Sequence, residues 1–186
     1  MMSFEKGKRY GRYWDDVHTL NDLITRYAFH TTGKNERDFE NGFASTLLNS
    51  EEGTFNAEVI TQIDKSVAVK GVYCFGKQHR PDMSLDENGI AVEIKFVKYA
   101  GLKDAIGQGY LYRLRYRFVI LVLIISEERK GIYEDLILGK ESDLEHTLQH
   151  LADNMNVFTY IVPAYKLKGG QKKCVSFFEP RNIVDE

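Results

Sequence analysis

Asp82, Glu93 and Lys95 stand close together in the middle of the chain and are of the types that hold a hard cation and move a proton. Glu93-Ile94-Lys95 lies in an alternating run from Ile90 to Val97, and side chains alternate across a strand. Glu93 and Lys95 therefore share one face, roughly 6.6 Å apart at about 3.3 Å per residue, while Val92, Ile94 and Phe96 share the other. Pro81-Asp82 precedes the turn-forming Asp86-Glu87-Asn88-Gly89, so a hairpin folds Asp82 back beside Glu93. Two carboxylates about 4 Å apart repel by roughly 4 kcal/mol at an effective dielectric of 20, a cost that a divalent cation between them removes. Magnesium suits such a pair because it takes oxygen ligands and keeps several waters; manganese substitutes for it. The Ile94 carbonyl offers one more oxygen. Lys95 is placed to orient or deprotonate a bound water and to offset charge on a phosphate. Taken alone, an E-x-K strand reads equally as a solvent-facing ion pair.

The elements that must position these residues follow from the hydrophobic pattern. Val17, Leu20, Ile24 and Tyr27 recur at helical spacing, and the segment ends in Thr31-Thr32-Gly33. Asn35 caps a second helix with Asp38 in its first turn and an apolar stripe of Phe39, Phe43, Leu47 and Leu48. Glu40 sits beside that stripe and faces the interior or a cleft; Glu36, one turn away, reads as a surface residue. Ala57 to Phe75 carries two strands, followed by a strand ending near Leu85 and another from Ile90. Gly101 to Tyr116 is helical, Phe118 to Ile125 is a buried-type strand, and Asp143 to Asn154 is a further helix. Val157 to Ile161 and Cys174 to Phe178 are strands bracketing a basic loop, Lys166 to Lys173. The expectation is a single α/β domain over residues 1–186, with its core at about 36–126 and a central mixed sheet flanked by helices.

On the helix after Glu93-Ile94-Lys95, Gln108 and Tyr112 share a face. Gly107 and Gly109 flank Gln108 although each costs a helix about 1 kcal/mol relative to alanine, which points to close approach of nucleic acid or to packing of helix on sheet. Lys77, His79 and Arg80 lead into Pro81-Asp82 and are candidates for phosphate contact, as are Arg113 and Arg115 beyond Tyr112. For each, solvation at an element end is the alternative. His146 and His150 have a zinc-compatible spacing but no third ligand, and Thr32-Gly33-Lys34 lacks the first glycine of a phosphate loop.

The ordered set resembles the PD-(D/E)XK nuclease superfamily. Pro81-Asp82 matches its PD, Glu93-Ile94-Lys95 its (D/E)XK, and Gln108 to Tyr112 is similar to the Q-x-x-x-Y element of the RecB-like branch. Glu40 resembles the acidic residue that many members carry on an N-terminal helix. The resemblance covers Glu40 to about Ile125 and implies a restriction-endonuclease-like fold. It implies a magnesium-dependent hydrolase of DNA phosphodiesters, with Asp82, Glu93, Lys95, Gln108 and Glu40 catalytic. Asp82, Glu93, Glu40 and the Ile94 carbonyl would hold the metal, and Lys77, His79, Arg80, Tyr112, Arg113 and Arg115 would meet nucleic acid. A catalytically inactive nucleic-acid-binding or assembly subunit on the same fold is the alternative.

Bulk properties bound these readings. The 186 residues are 43% hydrophobic and 28% charged, an ordinary globular composition with enough chain for one core. A net charge of −2 argues against coating nucleic acid by charge alone but permits a local basic groove. Phe118 to Ile125, the longest apolar run, is far short of the roughly 20 residues a bilayer requires. Cys74 and Cys174 form no C-x-x-C pair, so a reducing cytoplasm is expected, with nucleic acid as partner and a homodimer or partner subunit left open.

Overall fold

The computed structural model describes residues 9–27, 29, 35–63, 67–126, 128, 130–167 and 174–178. Its centre is the apolar run Phe118–Ile125, which forms strand β6 with all eight residues buried. Such a strand has no solvent face and must be covered on both sides. On one side of it lies β5, Ile90–Phe96, and on the other β7, Val157–Pro163, both parallel to it. Short antiparallel strands complete the sheet: β1 (Val59–Thr61), β4 (Met83–Leu85) and β8 (Val175–Phe177), in the order β1-β4-β5-β6-β7-β8. The chain is thus α/β with a six-stranded mixed sheet, as expected from the sequence.

Helices cover the two faces. On one face α1 (Arg12–Arg26) and α2 (Glu36–Leu48) pack Val17, Leu20, Phe39 and Phe43 against Val92, Ile94, Ile120 and Phe158. On the other, α3 (Tyr99–Tyr112), α4 (Lys130–Ile137) and α5 (Ser142–Met155) pack Leu102, Tyr112, Ile132 and Leu148 against Val119, Leu121 and Leu123. Each aliphatic side chain so buried stabilises the fold by about 1.5–3 kcal/mol before entropy is counted. Asn35 caps α2 as expected, its side chain accepting from the Asp38 N–H at 3.0 Å.

Three elements depart from the sequence expectation. The helix expected to reach Tyr116 ends at Tyr112, and a turn follows in which the Leu114 and Tyr116 amides donate to the Leu111 and Tyr112 carbonyls. Helix α4 was not anticipated. Val72–Cys74 (β2) does not join the main sheet but pairs with Lys77–His79 (β3) in a separate two-stranded ribbon. The Thr31-Thr32-Gly33 turn and most of the Lys166 to Lys173 loop lie outside the described residues.

The turn after β4 was legible. Asp86 has φ 55, and its carboxylate accepts from Arg12, Tyr13 and the Glu58 amide at 2.8–2.9 Å. A Cβ on Gly89 would fall 2.6 Å from the Leu85 carbonyl and 2.4 Å from the Tyr13 ring, so only glycine fits where this hairpin closes.

Candidate active site

The site arises where β4 stops short. Its last pair with β5 is Met83↔Val92, so the amides of β5 beyond Val92 have no strand to meet on that side. On the opposite side the parallel ladder with β6 runs on to Phe96↔Ile124. Unpaired buried amides are costly, and here two carboxylates take the place of the missing strand. Asp82 accepts from the Ile94 N–H at 2.7 Å, and Glu36 accepts from the Phe96 N–H at 2.8 Å. Glu36 is therefore not the surface residue expected, because α2 crosses the free edge of β5 with its first turn. The N–H and C=O of one residue point to the same side of a strand, so the Ile94 carbonyl also faces this gap.

Glu93 and Lys95 project from the other face toward α3, as their alternation requires. Glu93 is only 6% exposed. Its Oε1 lies 3.5 Å from the Lys95 ammonium, and its Oε2 lies 3.1 Å from the Tyr112 hydroxyl. Lys95 also donates to the Gln108 side-chain oxygen. The Tyr112 hydroxyl is 3.1 Å from the Arg80 carbonyl as well. One hydroxyl proton cannot serve both acceptors at once. With Glu93 ionised, Tyr112 donates to one or the other; with Glu93 protonated, the carboxyl donates to Tyr112 and Tyr112 to Arg80, and all contacts are satisfied.

The electrostatics follow from this crowding. Burial and the facing Glu93 carboxylate push Asp82 far above the usual carboxylate range, although the Ile94 N–H pulls it down. Burial likewise raises Glu93, opposed by Lys95 and the Tyr112 hydroxyl. Glu40 is raised by burial and by Glu36. The Tyr112 hydroxyl is pushed strongly up by burial and by Glu93, so it stays protonated. Four carboxylates thus gather near two cations, Lys95 and Arg37, and the crowding holds protons on Asp82 and Glu93.

The cluster opens into two clefts. One, of about 770 Å³, is lined by Glu36, Arg37, Glu40, Gln62 and Asp82. The other, of about 790 Å³, lies between α3 and the β2–β3 ribbon, with Lys77, His79, Lys95, Lys103 and Gln108 on its walls. Asp82, Glu93, Lys95, Gln108, Tyr112 and Glu40 are thus brought to one place, and Lys77 and His79 border it.

Other expected residues lie elsewhere or are engaged differently. Arg80 contributes its carbonyl to Tyr112 while its exposed guanidinium donates to Gln78 at 2.8 Å. Arg113 donates to the Met155 and Tyr116 carbonyls, closing the turn after α3, and Arg115 donates to the Glu87 carbonyl at 3.0 Å. Arg115 thus stands beside the Asp86 to Gly89 turn, at the opposite end of β5 from Lys95. Gly109 packs on the sheet, where a Cβ would lie 3.0 Å from Leu121 and 3.1 Å from Val157, whereas Gly107 faces open space. His146 bonds the Ser142 carbonyl at 3.0 Å and His150 bonds Asn154 on an exposed helix face.

Among the described residues, no group of three or more His, Cys, Asp or Glu side chains converges closely enough to hold a metal ion. The donor set Asp82, Glu93 and the Ile94 carbonyl is nonetheless of the all-oxygen kind that magnesium takes with one or two carboxylates and water. Burial, and after it the Glu93 charge, lifts Asp82, and a bound cation would favour its ionised form. Among the described residues no helix is long and apolar enough to cross a membrane. No family model matches the chain, and neither a curated protein nor a solved structure matches it significantly.

Proposed function

We propose that the chain is a divalent-metal-dependent nuclease that hydrolyses DNA phosphodiesters on a restriction-endonuclease-like core. The observation that carries this reading is the half-buried Asp82 carboxylate, held by the Ile94 N–H at 2.7 Å on the free edge of β5, beside the buried Glu93 with the Lys95 ammonium 3.5 Å from it. Neighbouring carboxylates add nothing to stability, because each raises the cost of ionising the other. Asp82, Glu93 and the Ile94 carbonyl would hold magnesium, with Glu40 on the cleft side to orient its waters. When bound, the ion supplies a lowered water pKa and charge neutralisation on the phosphate.

The remaining work belongs to the chain. Lys95 is steered by Glu93 and Gln108, so its third proton is aimed outward to a phosphate oxygen or the attacking water. Tyr112 holds the second oxygen of Glu93 and thereby fixes the carboxylate plane. Glu36 is spent on the Phe96 amide, which leaves Glu40 as the helix carboxylate available to the site. Lys77 and His79 lie where a nucleic-acid backbone would leave the site.

The test is incubation of plasmid and single-stranded DNA with magnesium or manganese. Cleavage by the wild type, lost in Asp82→Ala and in Lys95→Ala, is expected. Intact DNA under all conditions, or full activity in either variant, refutes the reading. Salt-sensitive DNA binding without metal affinity would then assign the chain to the non-catalytic class.

A further inference from the structure

The β2–β3 ribbon stands apart from the main sheet and borders the cleft into which Lys95 opens. Cys74 pairs with Lys77, so its loop is the two residues Phe75 and Gly76, with φ 50 and 75. Both angles are positive, the geometry of a type I′ turn, which Asn-Gly or Gly-Gly adopts without strain. A bulky phenylalanine in left-handed backbone is an outlier that costs stability. Burial does not recover that cost, because Phe75 is 84% exposed, and Tyr73 on the same ribbon is 76% exposed. Across the cleft, α3 presents Tyr110, 45% exposed, with Lys103 beside it. Three lysines, Lys77, Lys95 and Lys103, and His79 stand against one carboxylate, Asp104, so the walls favour an anionic chain with flat apolar parts.

We propose that this ribbon is a base-stacking platform: Phe75 at its tip, with Tyr110 opposite, takes an unpaired nucleobase while Lys77 and Lys103 hold the flanking phosphates, selecting single-stranded nucleic acid. Every base has a π-face, so stacking of this kind is tolerant of sequence. A duplex hides its base faces within its own stack and leaves phosphates, sugars and base edges, on which Phe75 cannot stack. The reading of the neighbouring cluster as a nuclease supplies what happens to the bound strand; the stacking itself rests on the ribbon and its cleft.

Binding measured without metal separates the two. Fluorescence anisotropy of a labelled oligothymidylate and of a duplex of equal length, in EDTA, is expected to give at least roughly tenfold tighter binding of the single strand. Phe75→Asn restores a favoured Asn-Gly turn, so it should raise the melting temperature while weakening single-strand binding by about 5- to 100-fold. A merely structural phenylalanine would not move the two in opposite directions. Phe75→Leu, which keeps apolar bulk without a π-face, should lose most of the same affinity. Lys77→Ala and Lys103→Ala should each lower the slope of log affinity against log salt by about 0.7.

Equal affinity for duplex and single strand, or unchanged binding in both Phe75 variants, overturns the proposal. So does a dimer in sedimentation that Phe75→Asn dissociates without affecting nucleic acid, which would make the ribbon a contact between copies. If single-strand binding depends on Phe75 but the wild type cleaves nothing with magnesium or manganese, the stacking stands and the nuclease reading falls. Metal-dependent cleavage with indifferent Phe75 variants gives the reverse.

Discussion

The two clefts that flank β5 are nearly equal in size and opposite in charge. The cleft beneath α2 gathers Glu36, Glu40 and Asp82 around a single cation, Arg37. The cleft beneath the β2–β3 ribbon sets Lys77, Lys95 and Lys103 with exposed aromatics around a single anion, Asp104. Strand β5 alone serves both, since Ile94 and Phe96 turn their amides to the acidic side while Glu93 and Lys95 project toward α3. The difference teaches how one strand of a weakly acidic protein can separate an acidic cleft from a basic one. On the proposed reading a cation would sit at the carboxylates and a phosphate chain would follow the lysines, with Lys95 between them.

The changes that break this division most severely lie at the boundary itself. Asp82→Ala and Lys95→Ala are each expected to lower metal-dependent cleavage on the order of 10²- to 10³-fold, as loss of a charge-stabilising group does. Lys103→Ala, in the basic cleft but away from the carboxylates, should raise KM with little change in kcat. Steady-state kinetics on one labelled oligonucleotide checks all three, and a kcat loss at Lys103 matching that at Lys95 would erase the distinction.

Within the acidic cleft, Glu36 and Glu40 should separate by readout. Glu36→Ala orphans the Phe96 amide and is expected to cost about 1–3 kcal/mol in denaturant unfolding. Glu40→Ala should stay within about 0.5 kcal/mol of wild type and lose cleavage instead. The opposite pattern would reassign the helix carboxylate to Glu36.

A pH series sharpens the same contrast. Burial raises both Asp82 and Glu93 in the fold above the value of about 4 they have when unfolded, and the neighbouring Glu93 carboxylate adds to the rise at Asp82. Raised carboxylates stabilise the fold while protonated. Their contribution is fully present below about pH 4 and is lost progressively as pH rises from there, until both groups are ionised in the fold. The melting temperature of the metal-free protein should therefore fall over that range, and Asp82→Asn should remove much of the fall. Saturating magnesium should oppose it, because the ion binds the ionised pair. A metal-free profile that rises with pH would contradict the crowding of the two carboxylates.

The smallest effect concerns the two glycines beside Gln108. Gly107→Ala should stabilise by about 1 kcal/mol, since a Cβ there meets open space, whereas Gly109→Ala presses on Leu121 and Val157 and should destabilise. Thermal melts of the two variants should move in opposite directions.

How much of this was legible depended on the range of the signal. The approach of Asp82 to Glu93 could be read because Asp86 to Gly89 is a strong turn and alternation along β5 assigns faces. Gln108 and Tyr112 could be read because helical spacing puts them on one side. The roles of Glu36 and Glu40 could not, because they hang on where β4 stops, and no residue of β4 announces its end. The ribbon was obscured because Phe75-Gly76 is not a turn sequence by local preference. The partners of Arg113 and Arg115 could not be read for a related reason. The helix stops at Tyr112, so helical spacing does not carry on to them, and the turn that follows sets what they bond.

The most direct measurement is the anomalous difference map of a manganese-soaked crystal. One peak touching Asp82 and Glu93 is expected, with the Ile94 carbonyl among its ligands, and loss of that peak in Asp82→Asn. A map without a peak there at saturating manganese, or with manganese bound only away from these two carboxylates, would contradict it.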